Sequence, residues 1–180
     1  MPLFKWFLVF IFLTAGSFAY AMITVEHVDL NKYLGKWYEI ARFEAWFETD
    51  CVNVTAEYSK KDDLIKVVNT CHLNTLNGKL KSSTGRAWVV DNKTNAKLKV
   101  SFLPGYLSFL NRFFSGDYWI LKLDQNYEVA MVGEPSKKYL WILARTTVID
   151  HRIYEEYVNY ARDLGFDISK LQLTPQERHN

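Results

Sequence analysis

The feature that most constrains the fold is the rhythm of the chain beyond residue 21. Short stretches of alternating, β-branched and aromatic residues recur, with turn chemistry between them. Eight strands read off directly: "KWYEIARF", "VNVTAEYS", "LIKVVNT", "KSSTGRAWVV", "AKLKVSF", "DYWILKL", "YEVAMV" and "YLWILAR". The polar turns "KKDD", "DNKTN" and "DQN" separate several of them. Connections this short make neighbouring strands antiparallel. One helix follows, "DHRIYEEYVNYARDLG", in which Ile153, Tyr157, Ala161 and Leu164 recur at helical spacing. Asp150 can cap its start, and Gly165 can end it in a left-handed turn. Its one-sided apolar stripe implies packing on the outside of the sheet, and "KLQLT" can add a short last strand. Eight antiparallel strands make either a sandwich or a closed barrel. Closure removes exposed edges, and eight strands enclose room for one small ligand. Periodicity alone does not choose between the two.

Composition narrows the function classes. The 180 residues suit one domain with a sizeable core. They are 49% hydrophobic and 16% aromatic, so a large core or an apolar cavity must hold the rings. A net charge of +2 gives no field that would draw nucleic acid. The first 21 residues read as a cleaved signal peptide: Lys5, an apolar run from Trp6 to Thr14, and Ala19-Tyr20-Ala21 at the cleavage site. The domain proper is then 22–180. "LTAGS" at 13–17 has the form of a lipoprotein box with Ser17 in the place of the acylated cysteine. The expectation is an exported protein without a lipid anchor: periplasmic, associated with an outer membrane, or secreted. Export also favours a disulfide between the two cysteines, Cys51 and Cys71. Closing a loop of about 20 residues contributes roughly 3 kcal/mol.

Three motifs carry a family resemblance. "GKWYEIAR" at 35–42, "GDYWILKLD" at 116–124 and "LWILART" at 140–146 resemble, in order, the three signatures of the lipocalins. The likeness extends over the whole chain after residue 21 and is nearest to the bacterial outer-membrane and apolipoprotein D-like branch. It implies an all-β fold, an eight-stranded antiparallel up-and-down barrel or calyx, with the C-terminal helix outside. Counting strands up and down from a closed end at Trp37 brings the last strand back to that end at Arg145. The two should meet as a structural base, with the guanidinium over the indole, a contact worth roughly 0.5–2 kcal/mol. The same count puts the first and fifth inter-strand loops at the open mouth. These loops supply Phe43, Trp46 and Phe47, and Phe109, Phe113 and Phe114, as portal residues. Cys51 and Cys71 fall near each other across the second hairpin, beside the rim. The family's cavity implies Tyr58, Asn69, Phe102, Trp141 and Leu143 as wall residues, with Tyr118 as a further candidate.

No enzyme constellation emerges. His27, His72, His151 and His179 are scattered, and there is no metal spacing or phosphate loop. The sequons at Asn53 and Asn92 matter only in a host that glycosylates. The resemblance therefore implies a carrier of a fatty acid or lysophospholipid, without cofactor, touching a membrane surface peripherally and acting as a monomer or homodimer. A carrier of a cyclic pigment or haem-like ligand is the alternative, and a lipid-acting enzyme a more distant one.

Overall fold

A computed structural model describes residues 22–111 and 113–177. The signal-peptide segment, Ser17 and His179 lie outside the described residues. After a single helical turn, α1 (Leu30–Tyr33), eight strands follow: β1 (Gly35–Phe43), β2 (Cys51–Lys61), β3 (Leu64–Leu73), β4 (Leu80–Val89), β5 (Lys97–Ser101), β6 (Gly116–Leu123), β7 (Val129–Gly133) and β8 (Leu140–Ala144). The helix α2 (His151–Asp163) and a short strand β9 (Leu171–Leu173) complete the fold. Each strand from β2 to β8 pairs antiparallel with the next; β8 pairs with β1, and β1 pairs back with β2. The sheet is therefore a closed barrel, as the strand count and the family resemblance imply.

Strand alternation sends side chains to two cores. Ile120, Ala130, Val132 and Leu143 point into the barrel with Trp37, Tyr58, Val67 and Leu98. Their neighbours Leu121, Met131 and Ile142 point outward, onto Tyr157, Val158 and Ala161 of α2. A strand covered on both faces has no solvent side, which is why β7 is buried at every position. Asp150 caps α2 by accepting from the Arg152 backbone N–H, and Gly165 takes the left-handed φ of +81° just beyond it. Ile153 lies on the rim of the apolar stripe and is partly exposed; Val158 fills the interface instead.

Phe43 corrects the expectation of a portal residue. It ends β1, is only 3% exposed, and packs edge-on against Phe166 with ring centroids 6.0 Å apart. A β-bulge against β8 between Glu39 and Ala41 shifts the alternation of β1. Beyond that bulge Phe43 falls on the outer face, in the core beneath α2.

The upper half of β1 does not pair with β2. Register between them runs only from Gly35 opposite Tyr58 to Tyr38 opposite Thr55. Beyond that point the C-terminal segment fills the seam. β9 pairs with β1, the Asn53 N–H donates to the Pro175 carbonyl at 2.7 Å, and Gln176 Nε2 donates to the carbonyls of Glu39 and Val54. Cys51 and Cys71 are disulfide-bonded near the top of the β2–β3 hairpin, with Cα atoms 5.4 Å apart.

Candidate ligand-binding calyx

The base is built around Trp37. Gly35 opens β1 with a φ of +94°, a conformation that favours glycine, and turns the chain so that Trp37 is fully buried. Trp37 Nε1 donates to the Tyr33 carbonyl at 2.8 Å, and its ring packs against that of Tyr33 at 4.9 Å. Arg145, just past β8, lies with Cζ 3.8 Å from the indole centroid. Its guanidinium donates to the carbonyls of Lys32, Leu34, Lys36 and Tyr127. Three of those four acceptors lie in or beside α1, so Arg145 also satisfies carbonyls at the end of that short helix. The meeting of Trp37 and Arg145 is as the strand count requires.

Above this base lies a cavity of about 110 Å³, room for a few waters or the end of an acyl chain. Tyr58, Asn69, Phe102, Tyr118, Trp141 and Leu143 all line it. Most other wall groups are aliphatic, among them Val54, Val67, Leu98 and Val100. The two loops expected at the mouth do share one end of the barrel. Trp46 is 82% exposed, Phe109 72% and Phe113 73%, and Phe114 is exposed as well. Phe47 bridges loop and wall: it packs against Trp46, Tyr139 and Trp141 and also borders the cavity.

Polar groups beyond the expected wall residues also border the cavity. Tyr33 is one; it lies four residues before Trp37, on a helical turn too short for any periodicity to show. Thr55, Glu39 and Glu48 are the others. Strand parity could have exposed Glu39, which shares the inward face of Trp37. Its Oε1 accepts from Arg42 Nη1 at 2.6 Å and from Thr174 Oγ1 at 2.5 Å. Burial pushes its pKa upward, and the Arg42 charge and the Thr174 hydroxyl offset part of that. Glu48 sits in the β1–β2 loop at the mouth and accepts from Trp141 Nε1 at 3.1 Å. Burial, reinforced by the neighbouring Glu39, pushes its carboxyl up to about 7.

A family profile described as a lipocalin-like domain matches residues 28–176. The chain belongs to the lipocalin family. It is 40% identical to temperature-induced lipocalin-1 of Arabidopsis thaliana, over 86% of this chain and 83% of that protein. Outer membrane lipoprotein Blc of Escherichia coli is also 40% identical, over 81% of this chain and 78% of that protein. Apolipoprotein D of Macaca fascicularis is 32% identical, over 84% and 79%. Among solved structures, insecticyanin from the tobacco hornworm Manduca sexta superposes with a TM-score of 0.66 at 22% identity, covering 86% of this chain and 84% of that one. The last likeness concerns the fold alone. In this lipocalin, the apolar calyx closed by Trp37 and Arg145 is suited to one small hydrophobic molecule.

Proposed function

We propose that the protein binds and carries a single-chain lipid, a fatty acid or a lysophospholipid, with the lysophospholipid preferred. The observation that carries the preference is the charge of the lining. Among the described residues, the ionisable groups of opposite or like sign to a lipid head that border the cavity are the carboxyls Glu39 and Glu48, and no lysine, arginine or histidine borders it. A fatty-acid carboxylate drawn into the mouth would find no cation in the lining to pair with, since Arg42 is already paired with Glu39, whereas a zwitterionic head would bring its own cation. The acyl chain would be buried against Val54, Val67, Leu98, Val100 and Leu143. The protein would act by binding, with no bond made or broken in the lipid.

Export with loss of residues 1–21, and release rather than anchoring at Ser17, belong to the same reading. The exposed Trp46, Phe109, Phe113 and Phe114 would rest on a membrane surface while a lipid passes between bilayer and calyx. A lysophosphatidylcholine series from eight to sixteen carbons tests the reading by calorimetry. Each buried methylene contributes about 0.8 kcal/mol, so affinity should rise about fourfold per carbon until the calyx is filled. An affinity independent of chain length would sink the proposal.

A further inference from the structure

The floor of the calyx holds a hydrogen-bonding arrangement that a plain acyl chain leaves unused. Three tyrosines from separate elements meet there: Tyr33 from α1, Tyr58 from β2 and Tyr118 from β6. The Tyr118 hydroxyl lies 2.7 Å from that of Tyr33 and 2.9 Å from that of Tyr58. All three side chains border the cavity, and the rings of Tyr33 and Tyr58 pack against each other at 5.7 Å.

The count of protons is decisive. Three hydroxyls carry three O–H donors, and the two contacts between them use two. Among the described residues no other partner meets any of these hydroxyls. Whichever way the protons are ordered, one O–H is left over. Burial, the largest influence on each, pushes all three phenols up, Tyr58 to about 12, so they remain protonated donors. A surplus donor in a cavity walled by residues such as Val67, Leu98 and Leu143 is costly unless a guest accepts it. The adjacent strand adds a second unused group. Asn69 Oδ1 is buried without a hydrogen-bond partner, one inward step nearer the mouth than Val67, the residue opposite Tyr58. The oxygen that meets these groups should be neutral, because a carboxylate at the floor would lose its hydration with no cation bordering the cavity.

We propose that the Tyr33–Tyr118–Tyr58 hydroxyls form a subsite for a neutral oxygen near the distal end of the ligand, so that the guest is an oxygenated acyl amphiphile: a hydroxy- or keto-acyl lipid. The surplus tyrosine O–H donates to that oxygen. A ligand hydroxyl also has a hydrogen of its own to give, and Asn69 Oδ1 is a free acceptor on the neighbouring strand. The inference rests on the carrier reading above and refines it from a lipid class to an oxygenated one.

The test uses the full chain, delipidated, and matched lysophosphatidylcholines of eight to sixteen carbons with and without a terminal hydroxyl. Burying an unpartnered hydroxyl in an apolar floor should weaken binding by about tenfold or more. In the wild type, at the chain length that reaches the floor, the hydroxylated lipid should instead bind at least as tightly as the plain one. The variant Tyr33→Phe/Tyr58→Phe/Tyr118→Phe keeps the rings and removes all three hydroxyls. The readout is the ratio of hydroxylated to plain affinity within each protein, whatever the variant does to both: at least one in the wild type, and about tenfold or more below one in the variant. A second readout needs no variant: the carbonyl stretch of a terminal methyl-ketone analogue should move to lower wavenumber on binding. The proposal is overturned if the hydroxyl weakens binding equally in wild type and variant at every length, or if the carbonyl stretch stays where it lies in alkane. Failure of plain and hydroxylated lipids alike would overturn the carrier reading itself, and this subsite with it.

Discussion

Arg145→Lys is the sharpest perturbation of the base, because it preserves charge and removes geometry. The guanidinium spreads its donors in three directions. Nη1 reaches Lys36 O at 2.8 Å, Nη2 reaches Lys32 O at 2.8 Å and Leu34 O at 2.9 Å, and Nε reaches Tyr127 O at 3.1 Å. A lysine ammonium gathers its donors on one atom and can serve one of those directions. Two directions are lost, at about 1 kcal/mol for each hydrogen bond. The flat contact over Trp37, 3.8 Å from guanidinium carbon to ring centroid, is lost as well, for roughly 0.5–2 kcal/mol. The expected destabilisation is therefore about 2.5–4 kcal/mol. Equilibrium urea unfolding, followed by tryptophan fluorescence with the disulfide intact, reads it directly. A loss below about 1 kcal/mol would mean that a point charge at the base suffices. The planar staple of α1 to β8 would then be the wrong explanation.

Two further outcomes follow from the mouth. Glu48, raised to about 7 by burial and the adjacent Glu39, stays protonated in the folded protein at a pH where the unfolded chain has already ionised. The unfolded state then binds fewer protons than the native state, so this group should lower stability as pH rises from about 4.5 to about 7. Glu48→Gln should remove that slope and be the more stable protein at pH 8; parallel wild-type and variant curves across the window would refute the assignment. Replacing Phe109, Phe113 and Phe114 together by Ser should leave the barrel folded, since none lies in a strand. It should slow transfer of a fluorescent acyl chain from vesicles more than it weakens binding from solution, and equal losses in both assays would reject a portal role.

Strand periodicity and turn chemistry reveal the eight strands because strands are local, while closure into a barrel, with Trp37 inside, became legible only with the family motifs. The helix is legible for the same reason, down to Asp150 and Gly165. The wall residues Tyr58, Asn69, Phe102, Tyr118, Trp141 and Leu143 became legible only through the family motifs, since periodicity does not distinguish a cavity wall from a packed core. Phe43 was misplaced because one bulge in β1 reverses which face the following residues occupy, and no residue type announces it. Glu48 falls in a mouth loop by strand count, but its burial was not legible because it depends on that loop folding back onto Trp141. Tyr33 stayed hidden because its hydroxyl gains meaning only when β2 and β6 bring two others to it.

The central claim is that the calyx carries one amphiphile. Native mass spectrometry of the protein, purified from an expressing host without added lipid, tests it most directly. The account predicts a 1:1 complex that releases, on collisional activation, a molecule with a single acyl chain, and predicts that this complex re-forms when delipidated protein meets lysophosphatidylcholine. Bare polypeptide in both experiments would contradict it.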